Sequence, residues 1–535
     1  MMNQFDWKNS AIAMMGFFLL SLGAFAQTDP QHPNIILIIA DDLGVDYSNG
    51  YMNNSLMPTT PTLDQLRADG LTFMNAWTPP TCTPTRANIM SGKHGVKTGV
   101  TSAPGNLDLS HTSIFSEIAA QTNNLYTGAV IGKWHISMPA DFNHPQQHGI
   151  DYYEGIFDSG ASDYYNWEKV FNGNESMETT YATTYFTDQA IDWVNDQSNP
   201  WFLWLAHIAP HMPLHEPPSN LYHIANVNTN RQKYVAAIEA MDTEIGRLLS
   251  NIPSQVLDNT FIIYIGDNGT PNSLLQAYVQ GQGKGSLYQG GIHVPFIVSG
   301  PPVTRVNETE DALVHTTDIY ATILEATGTD LPGGIYNSLS FLPLLSDETA
   351  ESRPYNYLEY DNFDVNGWTI RDDQYKLITY IDSTQEFYDL QADPLETNNL
   401  IGNLTPEQTT LKAEMEAEAA IIQSDWSCND LIQNGDENGI DCGGSFCPAC
   451  ATVGVEEDQK SKISVYPNPS NGIINISGLT APSSISVSDT QGKLIHQEKV
   501  NSALHSFELK NALGVYVLEV QNEQTTERFK LILTD

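Results

Sequence analysis

The sequence predicts an α/β protein organised on a doubly wound, mostly parallel sheet, followed by a smaller antiparallel region and a small β-sandwich tail. Three observations carry this. Continuously apolar runs at Asn34–Ala40 (NIILIIA), Ala129–Ile131, Trp201–Ala206 (WFLWLA) and Phe261–Ile265 (FIIYI) read as strands buried on both faces. Helical patterns such as Thr187–Asp196 and Arg231–Ser250 lie between them, and alternation of strand with helix signals a parallel sheet. Each run ends in polar residues, at the edge where open α/β sheets bind ligands.

Taken in order, the chain of 535 residues is long enough for two or three domains. Lys8, the apolar run Ala11–Leu22 and Ala24-Phe25-Ala26 read as a secretory signal peptide over 1–26, cleaved after Ala26. No later run is apolar and long enough for a transmembrane helix. The first strand ends in Asp41-Asp42-Leu43-Gly44, two adjacent carboxylates that call for a neighbouring cation. Next comes TCTPTRANIMSGKHG, with Thr83 as N-cap, Pro84 at the first helical position and Gly92 as the stop of a helix of about two turns. Cys82 then sits where free backbone N–H groups and the helix dipole favour an anion and activate a nucleophile, though a buried structural thiol reads equally well from this stretch alone.

Further strand ends bring Gly132-Lys133-Trp134-His135, the histidines His207, His211 and His215 among prolines, and Gly266-Asp267-Asn268-Gly269. His293 to Val298 is expected as another strand. The catalytic α/β domain is assigned to 27–354. Shorter β segments at Tyr357–Tyr360, Gly367–Ile370, Gln374–Tyr380 and Glu386–Leu390, then a helix over Pro406–Gln423, form a subdomain over 355–424. A Gly-, Asn- and Asp-rich linker over 425–462 holds Cys428, Cys442, Cys447 and Cys450, which fit two disulfides of open connectivity or a small metal knuckle. The remainder, 463–535, reads as the small β-sandwich.

Composition narrows the chemistry. A formal net charge of −41 argues against nucleic acid as partner and against long-range attraction of an anionic substrate. Basic groups must therefore be gathered locally at any anion site. Asp41, Asp42, Asp267 and Asn268 offer only oxygen ligands, which suit Ca²⁺ in preference to Mg²⁺ and exclude a zinc-type set. Arg86, Lys133 and Lys284 with His135 and His211 would cradle a tetrahedral oxyanion, a histidine protonating the leaving oxygen. Singly, each such residue is commonly a solvated surface group; His207 and His215 are left in that role. With the other four cysteines grouped in the linker, Cys82 is left over.

The segment Cys82-Thr83-Pro84-Thr85-Arg86 resembles the C-[T/S]-[P/A]-x-R signature of type I sulfatases of the alkaline phosphatase superfamily. The likeness extends through NIILIIADDLG, GKWH, HGID, APHMP, IGDNG, GKGSLYQGGIHVP and FYDLQADPLETNNL, spanning about residues 32–402. It implies an alkaline phosphatase-like fold and hydrolysis of sulfate esters. It also implies oxidation of Cys82 to Cα-formylglycine (3-oxoalanine) by a formylglycine-generating or anaerobic maturation enzyme. The formylglycine hydrate attacks sulfur and the sulfo-enzyme then collapses, releasing sulfate. In that scheme Ca²⁺ is bound by Asp41, Asp42, Asp267, Asn268 and the modified Cys82. Arg86 and Lys133 hold the formylglycine, His135 assists the collapse, and His211 and Lys284 join Lys133 in binding sulfate, with His211 as proton donor. Gln289 and His293 stand where many relatives read Glu and Arg.

The tail, with Val465-Tyr466-Pro467-Asn468-Pro469 and Gly514-Val515-Tyr516-Val517-Leu518, is similar to the C-terminal sorting domain of Bacteroidetes type IX secretion. That implies passage through the periplasm and release or attachment at the cell surface. The expected substrate is a sulfated carbohydrate, algal polysaccharide or oligosaccharide. The competing expectations are a phosphodiesterase or phosphonate hydrolase on the same fold, and a surface carbohydrate-binding protein with a degenerate site.

Overall fold

The computed structural model describes residues 32–332, 337–362, 365–424, 463–466, 470, 472–479, 482–489, 493–502, 504–509, 514–522 and 526–533. The signal peptide, the linker and its four cysteines lie outside the described residues. The chain divides into two compact units, Met1–Cys450 and Ala451–Asp535.

The first unit is built on ten strands: β1 (Asn34–Ala40), β2 (Gly70–Trp77), β3 (Thr127–Gly132), β4 (Tyr152–Gly155), β5 (Trp167–Phe171), β6 (Asn174–Glu178), β7 (Trp201–Ala206), β8 (Thr260–Gly266), β9 (Phe296–Ser299) and β10 (Glu308–His315). Their order is β10-β2-β9-β8-β1-β7-β3-β4-β5-β6. The run β8-β1-β7-β3-β4 is parallel, and antiparallel pairs flank it at β8–β9, β2–β9, β4–β5 and β5–β6. Every residue of β1 is buried, as a central strand covered on both faces requires.

Successive side chains of a strand point to opposite faces, so β1 feeds two cores. Ile35, Leu37 and Ile39 pack with the helices Cys82–Ser91, Ile114–Gln121 and Asp318–Ala326. Ile36, Ile38 and Ala40 pack with Pro61–Ala68, Ala182–Asn195 and Asn230–Asn251. This is the doubly wound architecture expected, with an antiparallel share contributed by short edge strands.

Two local expectations are corrected. The cysteine-bearing helix begins at Cys82, with Thr81 as N-cap, and Pro84 occupies its third position. The first N–H groups of a helix have no intrahelical acceptor, so proline costs nothing there and does not fix the start. Gly92 ends the helix as expected, in a left-handed conformation at φ 70°. The strand expected from His293 begins only at Phe296. Gln289–Ile292 forms a helical turn, His293 makes an isolated bridge to Trp77, and Pro295 has no N–H to give a ladder.

A second sheet, β11 (Asn356–Asp361), β12 (Asn366–Arg371), β13 (Tyr375–Tyr380) and β14 (Gln385–Asp389), is an antiparallel meander within the same unit. One face packs Leu358, Tyr360, Ile378 and Tyr388 on Trp77, Leu287 and Ile292; the other packs Tyr357, Ile370, Leu377 and Phe387 against Met415 and Ala419 of the helix Pro406–Ser424. The second unit has two antiparallel sheets sharing one core of Ile474, Ile476, Ile485, Val487, Leu518 and Leu531. No helix among the described residues is long and apolar enough to cross a membrane.

Candidate active site

Because β1, β3, β7 and β8 are parallel neighbours, their carboxyl ends fall on one edge, and the helix Cys82–Ser91 starts beside them. The turn after β1 puts Asp42 in the left-handed region (φ 68°), which an aspartate tolerates better than most side chains. It is pinned there: the Asp42 N–H donates to Asp267 Oδ1 at 2.9 Å and the Tyr234 hydroxyl donates to the Asp42 carbonyl. After β3, Gly132 is obligatory, since a Cβ there would lie 1.9 Å from the Ala206 carbonyl oxygen. Two residues beyond Lys133, His135 is also left-handed (φ 58°).

Asp41, Arg86, Lys133, Asp267 and Asn268 are fully buried and Cys82 is 3% exposed. Lys133 Nζ binds Asp41 Oδ2 at 2.5 Å. Arg86 donates to Asp267 Oδ2 at 2.9 Å and to the Lys133 carbonyl at 2.8 Å. Lys284 pairs with Asp42 Oδ1, and the Asn268 amide donates to that oxygen at 2.9 Å. His211 Nε2 lies 3.7 Å from Asp42 Oδ2, while its Nδ1 meets the Met212 carbonyl at 2.7 Å. His135 Nδ1 is 3.2 Å from Cys82 Sγ and 3.3 Å from Thr83 Oγ1. All ten site residues named from the sequence thus meet in one cluster. Its partly exposed members are His135, His211 and Lys284, the last two with side chains 19% and 23% accessible.

The electrostatics follow from crowding. Burial works to raise the Asp42 carboxyl, but Lys284, His211 and Lys133 overcome it and hold Asp42 well below the ordinary carboxylate range. Burial and the Asp41 charge push Asp267 up to about 6, against the pull of Arg86 and Lys133. Burial also opposes ionisation of Cys82, yet Lys133 and Lys284 outweigh it and the thiol is lowered. His135 is lowered to about 2 by burial together with Lys133 and Arg86, and so is neutral.

Asp41 Oδ1 and Asn268 Oδ1 are buried oxygens without hydrogen-bond partners. Buried acceptors left so are costly unless something positive meets them. Asp41, Cys82 and Asp267 each present a ligand atom within 4.8 Å of the others, as do Asp41, Asp42 and His211. The oxygen-dominated set fits a hard divalent ion.

Sequence reasoning did not find Thr85, whose hydroxyl donates to the Asp267 carbonyl at 2.6 Å, nor Tyr234. Tyr360, on β11, also approaches, near enough to feel the Lys284 and Cys82 charges. Thr85 lies inside the motif and was findable; the tyrosines carry no local signal. Gln289 receives the Trp77 indole N–H at 2.8 Å, and His293 Nε2 meets the Met74 carbonyl at 2.8 Å, so both serve packing. His207 is buried with neither ring nitrogen partnered, and His215 stacks on Tyr164 at 3.8 Å. A cavity of about 780 Å³ lies at the amino end of β8, lined by Leu66, Leu249, Thr260 and Pro301, away from this edge.

A parallel-centred sheet with acidic and basic strand ends converging on a cysteine at a helix start defines a hydrolase domain of the alkaline phosphatase-like class. The chain belongs to the sulfatase family, whose profile matches residues 33–329. Residues 282–424 match the C-terminal region of N-sulphoglucosamine sulphohydrolase, and residues 464–534 match the secretion system C-terminal sorting domain. It is therefore a sulfuric ester hydrolase carrying a tail that implies export to the cell surface or secretion. N-acetylgalactosamine-6-sulfatase of Mus musculus is 27% identical over 409 residues, covering 69% of this chain and 76% of that protein. Arylsulfatase J of the same species is 28% identical over 317 residues, covering 55% and 52%. Among solved structures, Ps i-CgsB in complex with k-i-k-neocarrahexaose has a TM-score of 0.62 at 25% identity, covering 72% of this chain and 93% of that one. BT4656 in complex with D-glucosamine-2-N,6-O-disulfate has a TM-score of 0.61 at 23% identity, covering 76% and 100%, a likeness of fold.

Proposed function

We propose that the protein is an exported sulfatase of sulfated carbohydrate, algal polysaccharide or its fragments, working through a formylglycine made from Cys82 and a bound Ca²⁺. The observation that carries this is the gathering of Arg86, Lys133, Lys284, His135 and His211 about one buried cysteine beside unpartnered carboxylate and amide oxygens. The names of the sulfatase relatives and the neocarrahexaose-bound neighbour support the substrate class.

Asp41, Asp42, Asp267 and Asn268 would hold the ion, which supplies Lewis acidity and charge neutralisation. The formylglycine supplies, in hydrated form, a hydroxyl nucleophile. The chain's own groups do the remainder. Lys133 and Lys284 present ammonium groups beside Cys82 and bind the sulfate oxygens. Arg86, locked between Asp267 and the Lys133 carbonyl, keeps the helix start fixed against the strand ends. Neutral His135 accepts a proton at Nδ1, the atom facing Sγ. His211, its Nδ1 tied to the Met212 carbonyl, carries the proton for the leaving oxygen on Nε2.

Peptide mass spectrometry across Thr81–Arg86, on protein co-expressed with a maturation enzyme, tests this together with aryl sulfate turnover. A Cys82-derived aldehyde with sulfatase activity is expected. An unmodified thiol in an active enzyme, or dominant turnover of aryl phosphate, sinks the proposal.

A further inference from the structure

Two clefts flank the catalytic cluster, and among the described residues neither is lined by a basic one. The larger, about 660 Å³, has Thr101, Ser102 and Pro104 on one wall and Asp361, Asn362 and Asn366 on the other. That volume suits one or two sugar rings. The Asp361 N–H reaches the Thr101 carbonyl at 3.4 Å, joining the two walls.

The cleft adjoins the reaction centre on both sides. A side chain added at Gly105, just past the first wall, would come within 3.3 Å of the Thr83 methyl, and Thr83 touches His135. Tyr360, just before Asp361, takes a hydrogen bond from the Asn362 amide at 2.7 Å and lies near enough to Lys284 and Cys82 to feel their charges. Its hydroxyl lies 3.7 Å from where a Gly285 side chain would stand, next to Lys284.

The smaller cleft, about 210 Å³, lies on the His211 side and is lined by Phe157, Asp158, Gly160, Glu168 and Glu175 among others. The Phe157 carbonyl accepts the His135 N–H at 3.0 Å. The basic groups of the centre are committed within the catalytic cluster: Lys133 to Asp41, Arg86 to Asp267, Lys284 to Asp42.

We infer that the cleft between Thr101–Pro104 and the residues Asp361, Asn362 and Asn366 is the subsite for the alcohol part of the substrate, and that it selects a neutral, hydroxyl-bearing sugar with no second sulfate or carboxylate beside the scissile ester. The reasoning is chemical. Hydroxyls of Thr101 and Ser102, amides of Asn362 and Asn366 and the Asp361 carboxylate match sugar hydroxyls, as donors and acceptors. A second anion there would meet no basic side chain among the described lining residues, would face Asp361, and would lose hydration without return. This inference rests on the carbohydrate sulfatase reading.

The test compares kcat/KM of the matured, full-length protein on galactose and N-acetylglucosamine monosulfates with the corresponding disulfates, at low and high salt. A second charge opposed at about 5 Å across a partly solvated cleft predicts roughly a tenfold preference for monosulfates at low salt, shrinking as salt rises. Asp361→Lys and Ser102→Lys, one on each wall, should each narrow the ratio several-fold. Equal or better turnover of the disulfates, or a ratio that neither variant moves, overturns the subsite alone. Turnover of 4-nitrophenyl sulfate with none of any sugar sulfate overturns the carbohydrate reading and the subsite with it. Inertness toward both overturns the sulfatase mechanism as well.

Discussion

Lys133 holds one carboxylate oxygen of Asp41 at 2.5 Å and leaves the other, Oδ1, buried without a hydrogen bond. One carboxylate thus neutralises a lysine and still offers an acceptor to a second positive partner. This double use lets a chain of net charge −41 gather ammonium groups and carboxylates in one buried cluster.

Calcium should therefore stabilise the folded chain measurably. At one hundred times its dissociation constant a ligand of the native state adds about 2.7 kcal/mol. Differential scanning calorimetry should show a higher Tm with Ca²⁺ than with chelator, and Asn268→Leu should shrink that difference. An unchanged Tm in the unsubstituted protein counts against the cation site.

Removing Lys133 should be costly in two ways. Lys133→Ala takes from Asp41 its closest counter-charge and leaves it only Arg86 at 3.8 Å, and breaking a buried pair costs about 3–5 kcal/mol. Loss of one preorganised charge from an oxyanion site lowers kcat roughly 10²–10³-fold. Added Ca²⁺ should restore part of the stability and none of the rate, read by calorimetry and aryl sulfate turnover.

Gly160 has a positional reason. A Cβ there would stand 3.1 Å from His211 Nδ1, the atom that holds the Met212 carbonyl. Gly160→Ala should shift the ring and lower kcat about tenfold or more, with Tm nearly unchanged. A variant with full activity would show that the ring position is not critical.

Glu359 should impose a pH dependence on stability. Burial raises its carboxyl to about 7, partly offset by the Val96 N–H that it accepts at 2.8 Å. A folded pKa above the unfolded value means that the folded state binds the proton more tightly. Its contribution is full below about 4.5 and is lost as pH rises through 7, at most about 3 kcal/mol. Glu359→Gln should flatten the Tm profile between pH 5 and 8 and gain on the parent at the alkaline end.

The legible part of this protein was what parallel sheets write locally. β1 and β7 need apolar residues at nearly every position, so NIILIIA and WFLWLA stand out with their boundaries. The polar residues after them then fall on one edge, bringing Asp41, Lys133, His211 and Asp267 together in the reading. β2, GLTFMNAW, is interrupted by polar residues and did not stand out. The helix start at Cys82 was misplaced because proline is tolerated throughout a first turn. Tyr360 enters through the packing of a second sheet on Trp77 and Leu287, which no local pattern encodes.

The placement of β1 has a kinetic consequence. Its partners are β7 and β8, and the hydrogen bond from Asp42 to Asp267 closes 225 residues of chain. During synthesis and export the strand Asn34–Ala40 is made first and waits, unpaired, until Trp201–Ala206 and Thr260–Gly266 follow. A bare isoleucine-rich strand is an aggregation hazard for that whole interval. The centre of the finished sheet is thus made long before the strands that cover its edges, and the cluster at its carboxyl end forms only with the late, long-range closures.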